Sequence, residues 1–231
     1  MKILTIDTSG SCSSVALSDG TNLLGECILG EDRSGSGRLP EAIAGLLCAA
    51  GLAATDLDAF ATSLGPGSFT GVRVGIATVK GLCLATGKPA LGFSSLAMLA
   101  MNLPYAAAQV APLFDARKKE IYAGLYRCTN LPETLREDAV LAPESFLAGI
   151  DAPTLFLGDG AIRYRDLIQA TLGKLALFAP WHLNQPRAAA GAVLAQRAAL
   201  EGDFIPLPLL NPSYLRASEA EIAKRRREAA A

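Results

Sequence analysis

Histidine is nearly missing from this chain: His182 is the one imidazole in 231 residues. A paired-histidine zinc site such as H-E-x-x-H is therefore excluded. His182 itself, set in the proline-bounded stretch APWHLNQPR, reads as a surface or interlobe residue rather than a ligand. The five cysteines, Cys12, Cys27, Cys48, Cys83 and Cys128, contain no C-x-x-C pair. An odd, scattered set argues against a disulfide framework and for a reducing cytosol. Surplus basic charge is missing too: with a formal net charge of -1, nothing draws the chain alone to a polyanion such as RNA. Long apolar runs are absent, since the longest stretch free of polar and charged side chains, 42–54, falls short of the roughly 20 residues of a bilayer span. The opening MKILTIDTSG is cut by Asp7 before a signal-peptide core develops. A cytoplasmic protein without membrane contact is expected.

Templates for nucleotide and acyl chemistry are absent as well. GPGSFTG at 65–71 resembles a phosphate-cradling loop, but Gly71 is followed by Val72 and Arg73 where a P-loop needs Lys and Ser or Thr. Against the dinucleotide fingerprint its third glycine comes one residue late. No G-x-S-x-G nucleophile elbow occurs. What is present is a hydrophobic share of 51% with 19% charged residues, the composition of a folded globular chain.

KILTIDT at 2–8 reads as a buried strand ending in a carboxylate, followed by strands at 12–20 and 22–29 across short Gly-containing turns. A helix over 38–51, a strand over 57–64 and a helix over 71–85 come next. QVAPLFDA then repeats the opening device, an apolar strand ending in Asp115, with its paired strand at 120–127. TLFLGDG at 154–160 predicts a strand running into a turn at Gly158, Asp159 and Gly160, and 188–201 a late helix. The whole predicts a two-lobed α/β protein with duplicated three-strand meanders: a first lobe over 1–106, a second over 107–208, and a segment at 209–231 returning to the first. Asp7 and Asp115 either cap turns after their strands or mark an ancestral phosphate or metal site between the lobes.

The helix behind the glycine loop carries Arg73 and Lys80 on one face, an apolar stripe of Val72, Ile76, Val79 and Cys83, and small residues at Gly71, Gly75 and Thr78. An interior glycine costs a helix roughly 1 kcal/mol, so close approach to another surface is expected at Gly75. The helix at 38–51, with Leu39, Ile43 and Leu46 at helical spacing, is also poor in charge. Such helices are core elements or wait for a partner, and two of them in one lobe favour an interface. On that reading Gly75→Leu abolishes partner binding and leaves the fold intact.

ILTIDTSGSCSSVAL at 3–17, GPGSFTGVRVGIATVKGL at 65–82, FDARKKEIYAGLY at 114–126, LGDGA at 157–161 and NPSYLR at 211–216 together resemble the bacterial TsaB (YeaZ) family. The resemblance implies an actin-like, ribonuclease H-like two-lobed (ASKHA) fold. It also implies a part in making N6-threonylcarbamoyladenosine on tRNAs reading codons that begin with A. In that system a TsaD-like paralogue with two metal-binding histidines is catalytic, a TsaE-like ATPase joins, and the TsaB-like member is a scaffold without cofactor or metal. It forms a homodimer when alone, a heterodimer with the paralogue, and meets tRNA only through the complex. The paralogue's H-x-x-x-H would fall near 32–42, where this sequence has no histidine. The partner-binding helices would match 38–51 and 71–84, with Leu39, Ile43, Leu46, Gly71, Val72, Gly75, Ile76, Thr78 and Val79 at the interface. Gly65 and Gly67 shape the turn and Ser68 or Thr70 caps the helix, so the loop serves to place it. Asp7, Thr8, Ser9, Gly65, Gly67, Asp115, Gly158, Asp159 and Gly160 would be vestiges of phosphate or nucleotide loops. The alternative is an actin-fold ATPase or small-molecule kinase with Asp7 holding Mg²⁺. A basic run, KRRR at 224–227, is either a solvated tail or a contact to tRNA phosphates.

Overall fold

The computed structural model describes residues 1–30 and 35–216. The basic run at 224–227 lies outside the described residues. The chain opens with β1 (Lys2–Asp7), β2 (Ser13–Asp19) and β3 (Asn22–Leu29), an antiparallel meander. Then come α1 (Leu39–Ala49), β4 (Ala59–Ser63), α2 (Phe69–Thr86), β5 (Ala90–Phe93) and α3 (Ser95–Ala100). A second meander, β6 (Gln109–Asp115), β7 (Ile121–Cys128) and β8 (Pro132–Leu141), leads to α4 (Pro143–Leu147) and β9 (Thr154–Leu157). The described chain continues with α5 (Asp159–Arg163), α6 (Arg165–Leu172), β10 (Ala176–Phe178) and α7 (Ala188–Glu201).

Two five-stranded sheets result, ordered β3-β2-β1-β4-β5 and β8-β7-β6-β9-β10, so the second repeats the first strand for strand. In each, the strand that ends in the expected carboxylate is central and pairs in parallel with the strand after the first crossover helix. β1 is buried on both faces, which explains why KILTID reads as a nearly continuous apolar run rather than an alternation. One face of it, Leu4 and Ile6, packs with Val15, Leu17 and Phe60 beneath α1 and α2. The other, Ile3, packs with Ala59, Ala61, Leu91 and Phe93 against Met98 of α3 and Ala195 and Ala199 of α7.

Two expectations change. The Gly-Asp-Gly stretch at 158–160 is the start of α5, with Gly158 as its N-cap, rather than a turn closing a strand. The division at 107–208 also fails to follow the packing, because helices are exchanged between halves. α3, from the first half of the chain, sits on β6 and β7, whereas α7, from the second half, covers β1, β2 and β5 of the first sheet. β8, β10 and the short helices α3, α4 and α6 lie outside the elements expected from the sequence. β8 is an edge strand with charges at Glu133, Arg136, Glu137 and Asp138 along a mostly half-exposed ribbon.

α2 is long and apolar enough in composition to cross a bilayer. In the fold its apolar stripe faces the sheet, with Val72, Gly75, Ile76, Val79 and Cys83 buried. Ser68 caps it, the side chain accepting from Gly71 N at 3.2 Å, and Gly87 ends it in the left-handed conformation at φ 71°.

Candidate functional site

Between the lobes lies a cleft of about 820 Å³. Its walls are the turn after β1, the Gly65–Gly71 loop, the end of β6 and the segment 212–216. Among the expected loop residues, Ser9, Gly65, Gly67, Asp115 and Asp159 line it, while Asp7, Thr8, Gly158 and Gly160 are buried behind its surface.

The glycine loop is pressed against the chain's own backbone. Ser68 N donates to Ser9 O at 2.7 Å, and Thr8 Oγ1 donates to Gly71 O at 2.7 Å. A Cβ at Gly67 would collide with Ser9 O, and one at Gly71 with Thr8 O. The glycines are thus required by the approach of α2 to the turn after β1. The second lobe repeats the device: side chains at Gly158 and Gly160 would strike the backbone of Leu113 and Phe114 at the end of β6.

The two matching carboxylates sit in opposite environments. Asp7 is fully buried; its Oδ1 accepts from Ser63 Oγ at 2.5 Å and from Ser9 N at 3.2 Å. Its Oδ2 is enclosed without a hydrogen-bond partner among the described residues. Burial pushes the carboxyl above its ordinary value of 3.8, against the lowering pull of Ser63 and Ser9. Asp115 faces the cleft, accepting from Arg117 N at 3.0 Å and pairing with Arg163 Nη1 at 2.9 Å. Its neighbour Asp159 accepts from Asp115 N at 3.1 Å and is likewise raised, chiefly by burial. Mg²⁺ beside a phosphate is held through one or two open carboxylates; here Asp7 is sealed and Asp115 is matched to a guanidinium. Elsewhere, burial pushes the thiols of Cys83 and Cys128 up to about 11, which leaves little thiolate at neutral pH. Among the described residues no group of three or more His, Cys, Asp or Glu side chains is placed to hold a metal ion.

The proposed interface residues need correction. Leu39, Ile43, Val72, Ile76 and Val79 belong to the core beneath the first sheet, at 0–6% exposure. Their stripe is apolar because it meets β1, β2 and β4. Gly75 is buried against Thr8 and Thr62, whose Oγ1 atoms would lie 2.6 and 2.9 Å from an added Cβ. Leu46, Gly71 and Thr78 are half-buried, and Thr78 Oγ1 donates to Val74 O at 2.8 Å. Gly75→Leu therefore tests the fold and not a docking surface. The outward faces consist of other residues: Ala44, Gly45, Cys48 and Ala49 on α1, and Arg73, Ala77, Gly81, Leu84 and Ala85 on α2. Both helices lie on the same side of the first sheet.

Sequence reasoning also missed several long-range polar partners. Arg163 neutralises Asp115 from α5. Ser94, at the crossing from β5 to α3, donates to Asp138 Oδ2 at 2.5 Å, and Tyr126 OH donates to Oδ1 of the same carboxylate. Burial raises both Asp138 and Tyr126. None of these pairs has a spacing signal, since the partners lie 12 to 48 residues apart.

Residues 32–224 match the family model described as TsaD: tRNA N6-adenosine threonylcarbamoyltransferase. The tRNA threonylcarbamoyladenosine biosynthesis protein TsaB of Bacillus subtilis (strain 168) is 32% identical over 225 residues, 96% of each chain. The solved structure of YeaZ from Pseudomonas aeruginosa superposes with a TM-score of 0.82 at 33% identity, covering 93% of this chain and 99% of that one. At 11% identity the ethanolamine utilization protein EutJ from Carboxydothermus hydrogenoformans shares the fold alone, with a TM-score of 0.53 over 84% of this chain and 90% of its own. With the duplicated sheets, the glycine loop pressed on the turn after β1 and this full-length likeness, the chain belongs to the TsaB (YeaZ) family of tRNA threonylcarbamoyladenosine biosynthesis proteins, of actin-like fold.

Proposed function

We propose that the chain is the non-catalytic scaffold of a cytoplasmic complex that installs N6-threonylcarbamoyladenosine on tRNAs reading codons that begin with A. In this reading it binds a TsaD-like catalytic paralogue, with a TsaE-like ATPase joining the pair and tRNA meeting the assembly rather than this chain alone. Without the paralogue, the same surface pairs two copies. The lobes correspond to the two sheets, and 209–216 returns to the first.

The observation that carries the reading is the outward surface of α1 and α2. On the same side of the first sheet, α1 exposes Ala44, Gly45, Cys48 and Ala49 and α2 exposes Ala77, Gly81, Leu84 and Ala85, with Leu84 76% exposed. Small residues let a partner's helices approach closely, and the exposed alanines, glycines and Leu84 carry no charge to desolvate, the charges of these two helices being Glu41, Arg73 and Lys80. The enclosure of Asp7 and the pairing of Asp115 with Arg163 weigh against the ATPase alternative.

Size exclusion with light scattering, on the chain alone and mixed with the TsaD-like paralogue from the same source, tests this. A 1:1 species that replaces any homodimer is expected. Ala77→Glu places a charge on the exposed face of α2 and should weaken that species by at least about tenfold, with the melting temperature unchanged. No association, with nucleotide and the TsaE-like protein also supplied, would overturn the reading.

A further inference from the structure

The last described residues do something neither lobe needs for its core. Leu210 is the last core residue among the described residues, fully buried beneath the first sheet, and from Asn211 to Arg216 the chain runs along the surface. Ser213 N donates to Leu64 O at 2.7 Å, where β4 leads into the glycine loop. The Tyr214 ring stacks on Phe69 at 5.1 Å, and its hydroxyl accepts from Arg73 Nε at 2.6 Å. Arg73 in turn lies 3.8 Å over the Phe69 ring, so three side chains from α2 and the tail form one stack. All of these contacts are with the first lobe.

Two residues later the tail has changed lobes. Arg216 Nη1 donates to Ala116 O at 2.8 Å, just past the end of β6, and its Nη2 pairs with Glu120 at the start of β7. Segment 212–216 therefore forms a wall of the cleft, anchored at one end to α2 and at the other to the turn between β6 and β7. The covalent connections between lobes are the crossings into α3 and into α7. Two crossings make a hinge, and a hinge leaves the lobes free to close or open around it. A third tie away from those crossings removes that freedom.

We propose that residues 212–216 are a latch that holds the two lobes at a fixed angle, releasing through the Arg216 anchor without unfolding either core. The design suits release. The Arg216 side chain is 22% exposed and Glu120 39%, so their pair sits at the rim of the cleft and not in either hydrophobic core. Tyr214 and Arg73 are exposed as well, and no buried apolar residue must move with them. This inference is independent of the partner proposed above.

The test uses the full-length chain with spin labels on exposed sites of opposite lobes, at Thr55→Cys and Ser145→Cys, after Cys27→Ser and Cys48→Ser. Pulsed dipolar spectroscopy reads the interlobe distance, and hydrogen exchange reads the Ser213 amide. Arg216→Glu should broaden and lengthen the distance distribution and speed Ser213 exchange about tenfold, equivalent to about 1.4 kcal/mol of local opening. Glu120→Arg added to Arg216→Glu should move both readouts back toward wild type. Arg216→Ala, which introduces no repulsion, should act in the same direction as Arg216→Glu. A distance distribution unchanged in both single variants would overturn the proposal, as would a change that Glu120→Arg fails to reverse.

Discussion

At the scale of single residues, Asp7 is where burial and charge conflict most. Its raised carboxyl means that the folded state binds a proton more tightly than the unfolded chain does. By linkage, the folded state then gains on the unfolded one as pH falls from neutrality toward the ordinary value of 3.8. That contribution is complete below the ordinary value and is lost as pH rises through the folded one. Asp159 and Asp138 are raised by the same cause and act in the same sense. Asp7→Asn removes the ionisation while leaving an acceptor for Ser63. Urea midpoints measured between neutral and mildly acid pH should show a shallower dependence in the variant than in the wild type, with the variant gaining most at neutral pH. Parallel curves would mean that Asp7 does not titrate in this window. The position of this carboxylate at the end of a strand was legible from KILTID followed by a turn. Its enclosure was not, because Ser63, which caps it, lies 56 residues away on β4.

Among the elements, α2 shows most plainly what a sequence pattern does and does not contain. A helix at 71–85, a cap at Ser68 or Thr70 and the two cations on one side were legible as local properties; the helix runs from Phe69 to Thr86, and Ser68 is the cap. Which stripe meets the sheet was not. The apolar stripe of Val72, Ile76, Val79 and Cys83 and the small-residue stripe through Gly75 both looked available to a partner, and the fold uses both internally. The surface left for a partner is made mostly of alanine and glycine, with Cys48, Arg73 and a lone exposed leucine among them, residues whose individual signal is weak. The two interior glycines now separate cleanly. Gly75 has threonine hydroxyls 2.6 and 2.9 Å from where its Cβ would be, whereas Gly81 is exposed with nothing within 4 Å. Gly81→Ala should therefore stabilise the protein by up to about 1 kcal/mol through helix propensity. Gly75→Ala should lose about 1–3 kcal/mol, because α2 must lift from β1 and β4. Chemical denaturation of the two variants side by side checks the contrast; equal effects would remove the close approach as the reason for Gly75.

For the whole molecule, the duplicated meanders were visible in the repeat of an apolar strand ending in aspartate, and the strands of the two sheets do separate in sequence, β1–β5 before residue 106 and β6–β10 after it. What no local pattern revealed is the exchange of helices. α7, starting 81 residues after Ala107, covers the face of the first sheet formed by Ile3, Ala59, Ala61, Leu91 and Phe93. It is also tied to the first lobe by polar contacts: Glu26 on β3 accepts from Ala189 N at 3.0 Å and pairs with Arg187. A fragment of residues 1–106 would strip α7 from that face, leaving only Met98 of α3 against it. Burying a large aliphatic or aromatic side chain is worth roughly 1.5–3 kcal/mol, and Ile3, Leu91 and Phe93 alone would forfeit much of the net stability of about 5–15 kcal/mol typical of a domain. The fragment should accordingly be collapsed without a cooperative transition, binding a hydrophobic dye and melting gradually. Residues 1–94 joined by a flexible linker to 188–216 restore the missing helix and the returning segment, and should recover a sharp transition. A sharp transition from 1–106 by itself would show that the first sheet is sufficient without α7, and that the two halves fold as the sequence repeat divides them.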